Sequence, residues 1–206
     1  MALRKTNSQT PLLEDFLNAI HPLSAPAMDY IRQQVETVKV PKNTILVKSG
    51  EHCQYLYYIH LGVIRSFLKE SGKEITTWVD VEGEISTSIR GLCYRAPSLE
   101  TLQTLEPCEL SLFSYEHLDY LYEHFNEANI LGRKFLEASY VASEERAYLT
   151  RIPNAKKKYQ HLLNTRPEMI NRIALTYVAS FLGMTLETLS RIRSAAYKKK
   201  PAETGQ

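Results

Sequence analysis

Cysteine is scarce and scattered. Cys53, Cys93 and Cys108 are the whole supply in 206 residues. No two of them stand as C-x-x-C, which excludes a zinc ribbon and a disulfide framework and leaves buried, reduced thiols as the expectation. Long apolar runs are missing as well. None approaches the roughly 18 residues that a membrane helix needs, so no membrane span is expected. The opening stretch, MALRKTNSQTPLLEDF, has no apolar core followed by a cleavage pattern, so no secretory signal is read and a cytoplasmic location is expected. A P-loop, a G-x-S-x-G elbow and a convincing acid/base pair are also absent. His117 and His124 lie seven apart on a predicted helix without a third ligand, and read as surface or partly packed residues. The expectation is therefore no enzyme, no metal and no cofactor.

What is present is an asymmetry of charge. The net charge is +2, yet residues 151–206 hold eleven Lys and Arg against three acids, a local +8 that leaves −6 on residues 1–150. A basic end on an acidic body suits a nucleic-acid-binding module joined to a scaffold or sensor. Phosphate contacts from such an end add salt-dependent affinity without reading sequence.

The apolar pattern changes period along the chain. Leu12, Leu13, Phe16, Leu17 and Ile20 recur at helical spacing until His21–Pro22, and a second helix from about Pro26 carries Met28, Ile31 and Val35. From Val38 short β-rich runs follow at 37–40, 44–48, 55–60, 63–69 and 74–80, separated by turn residues. Two more lie at 98–105 and 109–113. Several short strands at about ten-residue spacing predict an antiparallel sandwich or roll. Ser114 caps a predicted helix that runs to Phe125, with Leu118, Leu121, Tyr122 and Phe125 as its stripe. Residues 127–150 read as one long helix. On it Leu131, Phe135, Ala138, Ala142, Glu145 and Leu149 recur in a heptad-like seam, with Glu145 as the misfit. Such a seam packs either on its own chain or on a second copy. Pro153 marks a break and a hinge, and 155–164 is a further helix.

Tyr177–Arg193 reads as two short helices joined by a tight turn. Val178, Ala179 and Leu182 line one face of the first, and Gly183 closes it. Thr185 is the N-cap of the second, with Glu187 in its first turn. Leu189, Ile192 and Ala196 form a buried stripe. Leu186, Glu187, Ser190, Arg191 and Ser194 occupy the opposite face. That face is either solvated or suited to base edges in a DNA major groove: Arg pairs with guanine, Glu with the cytosine amino group, and an apolar side chain touches the thymine methyl.

The string Val178, Ala179, Leu182, Gly183, Thr185, Glu187, Thr188, Leu189, Ser190, Arg191 resembles the helix-turn-helix of the Crp/Fnr family of bacterial transcription regulators, approximately I-A-x-x-L-G-x-[ST]-x-E-[TS]-[LV]-[SG]-R. A second stretch points the same way. Ile45-Leu46, Ser49-Gly50-Glu51, Tyr57-Tyr58-Ile59, Leu61-Gly62-Val63-Ile64-Arg65 and Gly72-Lys73-Glu74 look like the opening of that family's cyclic-nucleotide-binding β-roll. The resemblance implies DNA contacts from Thr185, Leu186, Glu187, Thr188, Ser190, Arg191 and Arg193. It also implies a homodimer through the 127–150 helix and a small-molecule effector in the roll.

Three places depart from the family. Its phosphate-binding segment begins Gly-Glu, matched here by Gly83 and Glu84, and ends Arg-Ser or Arg-Thr, where this chain has Pro97-Ser98. Losing that cation costs on the order of 2–5 kcal/mol, so cyclic AMP is expected to bind weakly or not at all. Ser86, Thr87 and Ser88 are left to line a pocket for an uncharged or differently shaped ligand, with Arg90 and Arg95 either supplying a cation from another direction or standing as surface residues in a loop. The wing that often follows the recognition helix is expected to be absent, because residues 195–206 read as too short and too polar for a strand pair, leaving Lys198–Lys200 for phosphate or solvent. Ala174 and Tyr177 replace a polar cap and a Glu, and are expected to touch backbone or solvent.

The fold class is therefore α+β: an antiparallel β-roll of the double-stranded β-helix or jelly-roll type with flanking helices, a long dimerisation helix, then a small all-α helix-turn-helix domain without a clear wing. The expected domains are 1–125, 126–152 and 153–206. The expected function is a ligand-responsive, DNA-binding transcription regulator. The competing expectation is a small-molecule-binding or protein-interaction module of the same fold that has lost DNA binding.

Overall fold

The structure, a computed structural model, describes residues 12–197, and side chains through Ala195. Residues 1–11, the side chain of Ala196 in the buried stripe, and Lys198–Lys200 with the wing question lie outside what is described. Two helices, α1 (Leu13–Ile20) and α2 (Ala25–Gln34), precede eight strands: β1 (Glu36–Val40), β2 (Ile45–Val47), β3 (Tyr55–Leu61), β4 (Ile64–Glu70), β5 (Lys73–Asp80), β6 (Ile85–Ser86), β7 (Thr101–Thr104) and β8 (Cys108–Ser114). A short helix, α3 (Ile89–Tyr94), interrupts them after β6.

The strands form two antiparallel four-stranded sheets, ordered β1-β8-β3-β6 and β2-β7-β4-β5. Side-chain alternation divides each strand between two faces. On β3, Tyr57 and Ile59 point into the roll and join Val47, Ile64, Leu102 and Leu110 in its interior. Tyr58 points the other way, where its ring meets Phe16 of α1. Turn chemistry sets the register. Ser71 and Gly72 both take positive φ in the two-residue loop between β4 and β5, as a type I′ hairpin needs. Gly62 has φ +105°, and a Cβ there would sit 2.4 Å from Cys108 Sγ, so the β3–β4 corner admits no side chain.

Four segments run α4 (Tyr115–His124), α5 (Asn126–Arg151), α6 (Ala155–Thr165) and α7 (Pro167–Arg172) before α8 (Leu175–Phe181) and α9 (Leu186–Tyr197). The Ser114 hydroxyl accepts the His117 N–H at 3.1 Å and starts α4. Helices α1, α2, α4 and the start of α5 cover the outer face of the first sheet, around Leu17, Ile31, Phe113, Leu118, Leu121 and Ala128. A second cluster unites roll and tail: Val63, Val79 and Leu105 pack with Leu149, Leu162, Met169, Ile170, Val178, Phe181 and Leu189.

Some expectations change. β6, α3 and α7 were not legible, because two to six residues carry too little periodicity to register. Arg90 therefore stands on a helix, not in a loop. Cys53 and Cys108 are buried, but Cys93 of α3 is exposed. The α5 seam is partly used within the chain. Leu149 is buried and Leu131 and Phe135 are half-buried, while Ala138 and Glu145 are exposed. Beside them Leu136, Tyr140, Val141 and Tyr148 are left outward, with Tyr140 and Tyr148 about two-thirds exposed. His117 is half-buried against Tyr30, and His124 is exposed.

Candidate functional site

The α8–α9 pair is built by local rules. At the end of α8 the Met184 N–H bonds to the Ala179 carbonyl at 3.0 Å and the Gly183 N–H to Ser180 at 3.1 Å. With Gly183 at φ +62° this is a Schellman ending. Lys158 Nζ adds a bond to the Leu182 carbonyl at 3.0 Å. Thr185 Oγ1 then accepts the Thr188 N–H at 3.2 Å and caps α9. Leu189 is fully buried against α8 and Ile192 half-buried, which fixes how α9 is turned.

The opposite face is open. Thr185, Leu186, Glu187, Ser190 and Arg191 are exposed, and half-buried Thr188 lies between Thr185 and Arg191 within hydrogen-bonding reach. The Thr185 hydroxyl first, and Arg191 to a lesser degree, hold the Glu187 carboxyl below its ordinary range, so it stays ionised as an acceptor. Arg193 departs from this group. It falls at the border between the open and buried faces, one heptad after Leu186, half-buried, with Nε lacking a partner among the described residues.

The Gly83–Ser98 segment is the second candidate, and it is closed. Ser86 and Ser98 are buried. Thr87 Oγ1 donates to the Tyr55 carbonyl at 2.9 Å and lies 2.5 Å from the Tyr115 hydroxyl. Ser98 Oγ is held in a turn with Glu100, and its backbone pairs with Gly50 and Glu51. Gly83 makes the turn at φ +78°. Arg95 Nη2 donates to both carboxylate oxygens of Asp119 at 2.6 and 2.5 Å, so it is already matched, and Arg90 is exposed.

Glu84 is bonded within the chain. Its carboxylate accepts the Val81 N–H at 3.0 Å and Arg166 Nη2 at 2.8 Å. Arg166 also reaches the Val79 carbonyl and Glu168. Burial works against the Arg166 charge, but Glu84, Glu168 and Asp80 together offset it and raise the pKa. Arg172 likewise bridges Glu82 and Glu106 of the roll at 2.5 and 2.6 Å. Two cations of the +8 tail are thus matched within the chain and are not free for phosphate.

Helix α8 itself sits on the second sheet. Ser180 Oγ accepts the Thr76 N–H at 3.0 Å and donates to the Glu74 carbonyl at 3.1 Å. Phe181 meets Trp78 edge to face. Tyr177, expected at backbone or solvent, instead lies over the guanidinium of fully buried Arg65, which it sandwiches with Phe67 at 3.9 and 4.0 Å. Arg65 also pairs with Glu74. Beneath this joint Asp80 is buried and accepts from Trp78 Nε1 at 2.7 Å. Burial and then Glu84 push its carboxyl up to about 7.

Comparison with known proteins agrees with this architecture. Residues 37–125 match the cyclic nucleotide-binding domain family. No curated protein matches the chain. Among solved structures, the c-di-GMP responsive global regulator CLP of Xanthomonas campestris is 18% identical, with 89% of this chain and 96% of that chain covered at a TM-score of 0.65. A chain described as a transcriptional regulator of the Crp/Fnr family from Eubacterium rectale is 14% identical, with 93% and 92% covered at 0.71. FixK2 of Bradyrhizobium japonicum is 17% identical, with 80% and 85% covered at 0.64. What this chain shares with them is the fold: two antiparallel sheets with flanking helices and a helical C-terminal part.

Proposed function

We propose that the chain is a transcription regulator of the Crp/Fnr type, a sequence-specific DNA-binding homodimer that answers to an effector other than cyclic AMP. The observation that carries this is the open face of α9. Its Glu187, Ser190 and Arg191 are exposed while Leu189 behind them is fully buried, so the helix is rigidly held with its readers outward. Thr185 and Ser190 would meet phosphate, and Glu187, Thr188 and Arg191 base edges. Leu186 is placed for a thymine methyl, and Arg193 for phosphate if it swings out.

The proposed division is a roll over 1–125, a dimer helix with its hinge over 126–152 and a reading domain over 153–206. Dimerisation through α5 would use the outward Leu136, Tyr140, Val141 and Tyr148 more than the seam residues that pack on their own chain. Two copies would then read half-sites about one DNA turn apart.

Selection of fragments from a random DNA pool tests the proposal directly. Enrichment of a two-fold symmetric sequence is expected, and Arg191→Ala should relax one base position in each half. The rival, a module of this fold that has lost DNA binding, draws on the capture of Arg166 and Arg172 by the roll. It predicts that the pool enriches nothing.

A further inference from the structure

A cavity of about 260 Å³ lies outside the roll, between the outer face of the first sheet and the helices that cover it. Phe16 and Leu17 of α1, Leu56 and Phe113 of the sheet, Leu118 of α4 and Leu131 of α5 form its walls. It takes Ile85, Leu92, Cys93 and Arg95 from the Gly83–Ser98 segment, while the Thr87 and Ser98 hydroxyls of that segment are not in its lining and are bonded within the chain. An apolar void left empty costs stability roughly in proportion to its volume, so a space this large is well suited to an occupant.

Its chemistry narrows what that occupant is. The lining holds one cation, Arg95, and one anion, Asp119, and these two close on each other at 2.5–2.6 Å. The Ser111 hydroxyl is held by His60 at 2.7 Å. A charged ligand would have to break the Arg95–Asp119 pair and lose its own water. A neutral one need do neither. An apolar cavity of about 150 Å³ holds benzene, so this one suits a body of about ten carbons.

We propose that the cavity is a binding site for an uncharged, largely hydrocarbon small molecule of about that size. Two of its walls make it suited to regulation. Leu92 and Cys93 belong to α3, which lies within the Gly83–Ser98 segment. Gly132 of α5 sits so close to Tyr122 that a Cβ would lie 2.5 Å from the Tyr122 hydroxyl. A ligand that moves the Tyr122 ring therefore presses on the helix leading to the reading domain. The binding itself stands apart from the DNA-reading proposal and is measured without DNA.

The test uses 2-naphthol and its charged counterpart 2-naphthoate on the full chain at neutral pH. Calorimetry should show saturable binding of 2-naphthol at least about tenfold tighter than that of 2-naphthoate. Cys93 lines the cavity and is exposed while Cys53 and Cys108 are buried, so a small disulfide reagent reports on it. Bound 2-naphthol should slow that reaction. Leu17→Trp and Leu131→Trp fill the space from opposite walls, and either one that folds should lose binding. Absence of binding, equal or tighter binding of 2-naphthoate, an unprotected Cys93, or retained affinity in a folded Trp variant would each overturn the proposal. Should neither variant fold, protection of wild-type Cys93 decides.

Discussion

The outward face of α9 and the Gly83–Ser98 segment carry similar side chains, hydroxyls with a Glu and an Arg nearby, yet they are finished in opposite ways. On α9 these groups are exposed and bond only to near neighbours one turn away. Around Gly83–Ser98 the hydroxyls and Glu84 are buried or half-buried, and two of these groups find partners far off in sequence: Tyr55 and Tyr115 for Thr87, Arg166 for Glu84. Exposed bonds exchange with water or a ligand at little cost, whereas buried ones do not. The lesson is that a motif's residue types do not reveal whether it is open. The first region is left open to solvent, and the second contributes Glu84 to the joint between roll and tail.

The contrast can be broken from either side. The largest effect belongs to Leu189→Ala, which empties the fully buried anchor of α9. It should cost about 2–5 kcal/mol in urea unfolding, and DNA binding should go with it. A cost near zero would mean that α9 is not held as described. Next is Arg166→Ala, which leaves Glu84 without its cation. Since the pair is partly solvated, about 1–3 kcal/mol is expected. Restoration by Lys would separate charge from the forked geometry that also reaches Val79. Arg191→Ala should leave the melting temperature alone but cost about 1–3 kcal/mol of specific DNA binding, read as a relaxed base position in a competition assay.

Asp80 gives a pH test of the joint. Its carboxyl is pushed up to about 7 on folding, so the folded state holds the proton more tightly than the unfolded one. Its stabilising contribution is full below about pH 4 and is lost as pH rises through about 7. The melting temperature should therefore decline across that window. Asp80→Asn keeps an oxygen for Trp78 Nε1 and should flatten the decline; identical profiles would remove Asp80 from the energetics of the joint. The smallest effect is expected from Pro97→Arg. It returns the family's cation by type, yet Thr87, Ser98 and Tyr115 remain engaged with one another and with the backbone. Calorimetry should still find no tight cyclic AMP binding, and a micromolar affinity would show that one missing charge was the whole obstacle.

Much of the architecture was legible beforehand. Seven of the strands fell where turn residues bracket alternating or apolar runs, and α1, α2, α4, α5 and α6 followed from helical spacing. The exceptions have a common cause. α3 and β6 are too short for a period, and Tyr177 was misjudged because nothing within a few residues of it shows that Arg65 lies above its ring. Arg166 and Arg172 looked like two more cations of a DNA-binding tail, since the acids that match them stand far away in the roll.

By itself, then, the sequence determined the local plan of the α8–α9 unit: its Gly183 ending and Thr185 cap rest on bonds within a turn of chain, and its apolar spacing sets the face that buries Leu189 and the face that leaves Glu187 and Arg191 open. Only the tertiary structure decided what became of Glu84, Arg166, Arg172, Tyr177 and the cavity beside α5. The physical reason is sequence distance. Glu84 meets Arg166 across 82 residues and Glu82 meets Arg172 across 90, and no local pattern encodes which of many charges will be brought together when two sheets and nine helices pack among the described residues.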